Sequence, residues 1–322
     1  MRIVIAGGTG FLGTQLAETY AEDGHDVRVL TRGLQPGEAR HDPGTGVPGV
    51  TRVGWRPDGR TGDWASVLHG ADAVVNLAGA GIGDERWSPE RKTVIRDSRI
   101  RPTRSLVAAI TEAPLRPPVF ISASGVGYYG AAGAETMTEA SPAGHDFLAQ
   151  LCTEWEAEAL RAQSAATRVV LVRSGIVLER SGGVLPRMMM PFRFFAGGPV
   201  GSGRQYVSWI HRIDWVETIR WIVDSRELQG PVNATAPVPV TNREFAKALG
   251  RAMHRPALMP APASNSAAPA SIARRNAPVE ASRAAPSSWG ETPGPGASSG
   301  ATCRRSSVDV TSNPGTSRAR AP

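Results

Sequence analysis

Short apolar runs and amphipathic stretches alternate along most of the chain, as far as about residue 255. Residues 2–6 are an apolar run of strand length, and 11–23 set Leu12, Leu16 and Tyr20 on one helical face. Gly24 suits the left-handed stop of that helix. Val27–Thr31 reads as a second strand, the Gly/Pro-rich stretch 33–49 as a loop, and 50–55 as a short strand. Ala73–Leu77 is an apolar run expected of a parallel strand buried on both faces. Ser88-Pro89-Glu90 is a helix start, with a capping hydroxyl, proline in the first turn and an acid beside it, and that helix should run to about 112. Val119–Ser122, Val169–Val172 and Val232–Ala234 are further strands, with helices at about 146–163 and 213–225. Thr241-Asn242-Arg243-Glu244 is a capping box that opens another helix. This β/α alternation predicts an α/β fold with a doubly wound parallel sheet.

The pattern ends near Pro260. Ala, Ser, Pro, Arg and Gly dominate the residues after it, and Ile272, Val279, Trp289, Val308 and Val310 are the few large apolar residues among them. So little apolar surface does not offset the entropy of ordering a chain, and disorder is expected from about 262 to the end. Arg outnumbers Lys 34 to 2, as G+C-rich coding DNA would produce, and such DNA read out of frame yields tails of this composition. The segment beyond about 263 therefore reads as frameshifted. It also carries much of the net charge of +7: seven Arg oppose Glu280, Glu291 and Asp309. Elsewhere the charges are dispersed rather than clustered on one element, which argues against a nucleic-acid surface. No apolar run is long enough to span a membrane. The first strand begins at once, with no leader-like stretch, so a cytoplasmic protein is expected. Cys152 and Cys303 have no metal-like spacing and form no disulfide framework; Cys152 reads as a packed helix residue.

Gly7-Gly8-Thr9-Gly10-Phe11-Leu12-Gly13 joins the first strand to the first helix. Gly7 permits the tight turn, Gly10 the approach of a pyrophosphate, and Gly13 close packing of helix on strand. The N–H groups of the helix start, including those of Phe11 and Leu12, then face the phosphates. This is a Rossmann-type dinucleotide site. The second strand ends in Leu30-Thr31-Arg32-Gly33, without the carboxylate that would bind the ribose 2′-hydroxyl of NAD. Arg32 can clamp a 2′-phosphate and Thr31 can donate to it, so NADP is favoured over NAD. Leu77, Ala78 and Gly79 close the strand after residue 73 with small or apolar residues over which the adenosine side can lie. The expected division is a dinucleotide-binding Rossmann domain at 1–175, a small C-terminal substrate-side region at 176–261 interleaved with the last sheet elements, and the disordered tail at 262–322.

The glycine turn, Val75-Asn76-Leu77-Ala78-Gly79, Ser122-Ala123-Ser124-Gly125-Val126-Gly127-Tyr128-Tyr129-Gly130 and Ser208-Trp209-Ile210-His211-Arg212-Ile213-Asp214 resemble the extended short-chain dehydrogenase/reductase superfamily. Trp87-Ser88-Pro89, Asp97-Ser98-Arg99, Leu151-Cys152 with Trp155-Glu156, Val172-Arg173-Ser174-Gly175-Ile176-Val177-Leu178 and Pro191-Phe192-Arg193 narrow the resemblance to its atypical, NAD(P)-dependent "epimerase family" branch. It extends over about residues 1–262. The resemblance implies NADP contacts from Thr31, Arg32, Leu77, Ala78 and Arg99.

The chain departs from the superfamily at its catalytic centre, where a Tyr-x-x-x-Lys pair would sit on a helix. The four tyrosines, Tyr20, Tyr128, Tyr129 and Tyr206, are followed at that spacing by Gly24, Ala132, Gly133 and Ile210, and the only lysines are Lys92 and Lys247. The pair is absent, as in the atypical branch. Ser122 and Ser124 end a strand that should border the nicotinamide, and Tyr128 and Tyr129 come just after it. Ser124 and Tyr128 are the candidate catalytic residues, one to polarise a substrate oxygen and one to move a proton. His145 is an alternative base, whereas His211 and Asp214 are expected to be structural. Met188, Met189 and Met190 with Phe192, Phe194 and Phe195 should pack in the core or cover the substrate. The implied function is an NADP(H)-dependent oxidoreductase or epimerase acting on a small hydroxyl or carbonyl compound. A catalytically silent NADP(H)-binding redox sensor is the alternative. The expected partner is a small-molecule substrate, with no metal, no nucleic acid and no membrane, and a homodimer is allowed.

Overall fold

The computed structural model describes residues 1–41, 49–260 and 274–276. Its elements keep the predicted alternation: β1 (Arg2–Ala6), α1 (Phe11–Glu22), β2 (Asp26–Thr31), β3 (Ala39–His41), β4 (Val50–Gly54), β5 (Ala73–Asn76), α2 (Pro89–Glu112), β6 (Val119–Gly125), β7 (Thr136–Met137), α3 (Phe147–Leu160) and β8 (Arg168–Ser174). Beyond these come β9 (Ile176–Glu179), β10 (Gly182–Gly183), α4 (Leu185–Arg193), β11 (Tyr206–Val207), β12 (Trp209–His211), α5 (Arg212–Asp224), β13 (Gly230–Ala234), β14 (Val240–Thr241) and α6 (Asn242–Met253). Short 3-10 turns at Asp63–Leu68 and Val126–Tyr129 were not foreseen.

The main sheet has the order β13-β8-β6-β5-β1-β2-β4-β3 and is parallel except for β3 against β4. From β1 the chain winds outward through β2 on one side and β5 on the other, so the order reverses beside β1. In open sheets of this kind ligands sit at such a switch point, outside the carboxyl ends of the strands. Side chains alternate across β1. Ile3 and Ile5 join Leu16, Val29, Val170, Trp215 and Ile219 on one face, while Val4 joins Trp64, Leu68, Leu106, Ile110 and Phe120 on the other. A sheet covered on both faces leaves no solvated strand face in its middle, which is why the inner strands read as unbroken apolar runs. Truncating either fully buried tryptophan, Trp64 or Trp215, removes a core side chain worth about 3–5 kcal/mol.

The helix boundaries obey local chemistry. Ser88 caps α2 by accepting from the Arg91 N–H at 3.1 Å, with Pro89 in the first turn. At α6, Thr241 accepts from the Glu244 N–H and the Glu244 carboxylate accepts back from the Thr241 N–H, completing the capping box.

Three expectations need correction. The stretch 33–49 is not all loop, because Ala39–His41 pairs antiparallel with β4 as an exposed edge strand; its brevity and Gly/Pro flanks hid it. The helix expected to reach 163 stops at Leu160. Of the aromatic residues expected to pack in the core or cover the substrate, Phe192 is buried, but Phe194 and Phe195 are 74% and 59% exposed where α4 ends, so core packing does not hold for those two. Composition cannot tell an inward from an outward aromatic once the helix has stopped. The disorder and frameshift expectations for the tail lie outside the described residues, apart from Arg274–Asn276, which pair with β7.

After β8 the chain builds two small sheets, β10-β9-β12 and β11-β14, with α4 and α6, and returns through β13 to the edge of the main sheet beside β8.

Candidate functional site at the carboxyl ends of the strands

The glycine turn leaves β1 and enters α1 with no room for side chains. Gly7 has φ +80°, and a Cβ there would lie 2.7 Å from the Leu77 carbonyl carbon. A Cβ on Gly13 would meet the Gly7 carbonyl and stand 2.6 Å from Gly8 Cα. Gly10 is the extended N-cap, its N–H donating to the Gly7 carbonyl at 3.0 Å, and no side chain caps the helix. The first-turn N–H groups of Phe11, Leu12 and Gly13 therefore point outward as unclaimed donors at the positive end of the helix dipole.

Thr31 and Arg32 stand where β2 ends. Thr31 Oγ1 accepts from the Gly33 N–H at 3.2 Å, which leaves its own proton free to be donated. Arg32 is exposed and makes no ion pair with any described residue. On the other side of β1, the Leu77 N–H donates to the Ala6 carbonyl at 2.8 Å, tying the two strand ends together. Buried Asn76 fixes the exit: its amide donates to Thr103 Oγ1 at 2.8 Å and its carbonyl accepts from the Ala78 N–H at 3.2 Å. Half-buried Leu77 and Ala78 and exposed Gly79 then lead outward.

Arg99 comes up beneath this exit from α2. A Cβ on Gly79 would lie 3.1 Å from its guanidinium carbon. The guanidinium donates to the carbonyls of Ile95 at 2.9 Å and Ala80 at 3.1 Å and lies over the Trp155 ring. It is only 8% exposed and has no carboxylate partner among the described residues. Burial pulls its pKa down to about 10. It is thus not a surface ion pair but a buried cation short of counter-charge.

One of the two catalytic candidates, Ser124, belongs to a buried network, and the ring of the other, Tyr128, lies against it. β6 lies between β5 and β8, and register sets Ser124 beside Arg173. Ser124 is 8% exposed, and its hydroxyl donates to Glu156 Oε1 at 2.6 Å. Glu156, on α3, receives Arg173 Nε at 2.9 Å and Nη2 at 2.8 Å. Arg173 Nη1 also donates to the Tyr129 hydroxyl at 3.0 Å and to the Glu139 carbonyl at 3.1 Å. Tyr129 in turn donates to Asn233 Oδ1 at 2.7 Å. The Arg173 guanidinium carbon lies 3.4 Å from the centre of the Tyr128 ring. Burial works against the Arg173 charge, but the Glu156 carboxylate and Tyr129 more than offset it and hold the guanidinium above its ordinary range. Burial raises the Tyr129 phenol against the opposing pull of Arg173. Tyr128 is half-buried, and its hydroxyl has no partner among the described residues.

His145 is exposed, and among the described residues no hydrogen bond joins its side chain to this network. His211 caps α5, accepting from the Ile213 N–H at 3.3 Å, the structural part expected of it. Cys152 is buried, and burial pushes its thiol up to about 11, which removes it as a nucleophile near neutral pH. Glu156 and Arg173 entered the sequence reading only as signature residues. The available signal was a charge at the end of the apolar strand Val169–Val172 and a second on the buried face of the facing helix. Among the described residues no group of three or more His, Cys, Asp or Glu side chains is arranged to hold a metal, and no helix is long and apolar enough to cross a membrane.

A switch point beside β1, a glycine turn with bare helix donors and a parallel sheet ordered outward from β1 define a Rossmann-type, extended short-chain dehydrogenase/reductase fold. Residues 3–234 match the model of the NAD dependent epimerase/dehydratase family, and the chain belongs to that family. An epimerase family protein of Mycobacterium leprae is 42% identical over 255 residues, covering 79% of this chain and 78% of its own. The chloroplastic SDR39U1 homolog of Arabidopsis thaliana is 41% identical over 264 residues, 81% of this chain and 74% of its own. The crystal structure of human epimerase family protein SDR39U1 with NADPH superposes with a TM-score of 0.74 at 34% identity, covering 86% of this chain and 90% of that one.

Proposed function

We propose that the chain is an NADP(H)-dependent oxidoreductase or epimerase acting on a small substrate with a hydroxyl or carbonyl group. The observation that carries this reading is Arg32, an exposed guanidinium with no described ion-pair partner, standing where β2 ends and where a carboxylate would select NAD. The NADPH in the human SDR39U1 structure supports the same choice. In this reading Gly7, Gly10 and Gly13 shape the turn, and the N–H groups of Phe11 and Leu12 hold the pyrophosphate. Thr31 and Arg32 hold the 2′-phosphate. Leu77, Ala78 and Gly79 border the dinucleotide, and Arg99 gains the anionic neighbour its burial lacks. A bound nicotinamide supplies or accepts hydride.

The substrate oxygen is placed by Ser124. Its proton is committed to Glu156, so Oγ offers lone pairs and accepts from a substrate hydroxyl. In reduction Tyr128, its ring set on Arg173 and its hydroxyl open, would give its proton to the substrate carbonyl oxygen. That oxygen then becomes the hydroxyl that donates to Ser124, and solvent would reprotonate the Tyr128 phenolate. An epimerase returns the hydride to the opposite face and shows no net redox change, whereas a reductase consumes NADPH. The catalytically silent redox sensor stays as a second reading. It is favoured by the missing Tyr-x-x-x-Lys pair and by a Ser124 hydroxyl already paired with Glu156 in the absence of substrate.

The first experiment is a thermal melt alone, with NADP⁺ and with NAD⁺. A ligand at about 100 times its Kd stabilises the folded state by about 2.7 kcal/mol. A midpoint raised much more by NADP⁺ than by NAD⁺ is the expected result, and no shift with either would refute the dinucleotide site. Steady NADPH turnover with any member of a carbonyl panel would count against the sensor and mark a reductase, whereas an epimerase is read by interconversion of substrate stereoisomers with the cofactor retained.

A further inference from the structure

The structure assigns the segment Gly182–Arg187 as a strap that closes over the pyrophosphate–nicotinamide half of the dinucleotide cleft and limits release of the bound cofactor. This assignment rests on the NADP(H) reading of the site.

At one end the strap sits on the glycine turn. A Cβ built on Gly182 or on Gly183 would come within 2.8 Å of the Phe11 ring, so only glycines let the backbone lie so close to the first residue of α1. The Arg212 guanidinium covers the same ring at 5.4 Å and pairs with Glu179, on β9, at 3.4 Å. At the other end Arg187, in the first turn of α4, reaches the loop after β5. Its Nη1 donates to the Gly83 carbonyl at 2.6 Å and its Nη2 to Asp84 Oδ1 at 3.1 Å. The loop is itself anchored from α2, where Arg91 donates to the Gly81 carbonyl at 2.6 Å and Trp87 donates to the Ile82 carbonyl at 2.9 Å.

Sheet order gives the span its direction. β1 lies between β5 and β2. A strap from Phe11, after β1, to Gly83, after β5, crosses the switch-point side and leaves the β2 side open. The adenosine half, which Arg32 marks, is outside it. The latch is built to open: Arg187 and Asp84 have 60% and 52% exposed side chains, and ion pairs so solvated hold weakly. Its two ends rest on Phe11 below and on the loop that Arg91 and Trp87 hold beyond. A dinucleotide under the closed strap has to wait for the Arg187 contacts to break before its nicotinamide end leaves.

The test is stopped-flow release of NADPH from the full chain, read by its fluorescence as excess NADP⁺ displaces it, in wild type, Arg187→Ala and Asp84→Asn. Release of 2′,5′-ADP, which fills only the adenosine half, is measured in parallel by competition. Exposed latch partners leave the fold intact, which unchanged melting midpoints check. The expected result is NADPH release faster by roughly threefold to tenfold in Arg187→Ala, on the scale of one solvated ion pair with a carbonyl hydrogen bond, by about twofold in Asp84→Asn, which keeps the Gly83 bond, and unchanged 2′,5′-ADP release. NADPH release unchanged in both variants, or both ligands released faster to the same degree, would overturn the strap while leaving the cofactor site standing. A wild-type chain that binds 2′,5′-ADP and NADPH not at all would remove the underlying reading and the strap with it.

Discussion

Arg173→Met is the substitution that weighs most on this site. It keeps a long, flexible side chain at the end of β8 and deletes the charge. The structure says what is lost: two charge-assisted hydrogen bonds to Glu156, at 2.9 and 2.8 Å, one to the Tyr129 hydroxyl at 3.0 Å, one to the Glu139 carbonyl at 3.1 Å, and the guanidinium carbon 3.4 Å from the Tyr128 ring centre. The side chains of the pair are 4% and 7% exposed, so water does not replace those bonds. Removing one member of such a pair leaves the other as an uncompensated buried charge, at a cost of about 3–5 kcal/mol. For a domain of this size that lowers the melting midpoint by about 6–20 °C. The assay is urea and thermal unfolding of wild type, Arg173→Met, Glu156→Gln and the double variant. Because the double variant removes both charges, it should be more stable than Arg173→Met alone, a non-additivity of about 1–3 kcal/mol. A single-variant loss below about 1 kcal/mol, or a double variant whose loss is the sum of the singles, would refute the view that the two charges depend on each other.

Arg32→Ser should weaken NADP⁺ by at least about tenfold, the scale of one charge-assisted contact, and leave NAD⁺ unchanged in calorimetric titrations. Gly13→Val places side-chain atoms against the Gly7 carbonyl and Gly8, so the thermal shift with NADP⁺ should vanish even where the variant still melts cooperatively. Raising the Cys152 thiol from 9.0 to about 11 leaves about 100-fold less thiolate near pH 8, so in a Cys303→Ser background a disulfide reagent should label it slowly until urea is added. The thiolate appears only as the pH rises toward that value. Thr241→Ala should cost about 1 kcal/mol through the loss of its cap on α6, read from the urea midpoint.

Much of the fold was legible because its rules are local. An apolar run of strand length and then an amphipathic stretch, repeated, leaves few topologies once crossovers are right-handed. The glycine turn was legible for a similar reason: φ +80° at Gly7 and backbone approaches under 3 Å at Gly13 are demands that only glycine meets, so the need is written in the residue itself. Arg32 was readable from its place one residue past an apolar strand.

What the sequence determined by itself, then, is what neighbours along the chain determine: the strands, most helix limits, the turn, and the end of β2 without a carboxylate. Edge strand β3 escaped because three exposed residues carry no pattern. Tertiary structure alone decided which charges meet. Arg173 is 17 residues from Glu156 and 44 from Tyr129, and only the β6–β8 register and the docking of α3 bring them within hydrogen-bond reach of Ser124. It also decided that Arg99 is buried rather than solvated, and that Arg187 reaches a loop 104 residues away. Burial and long-range contact depend on how whole elements pack, and the spacing of residues along one element does not contain that information.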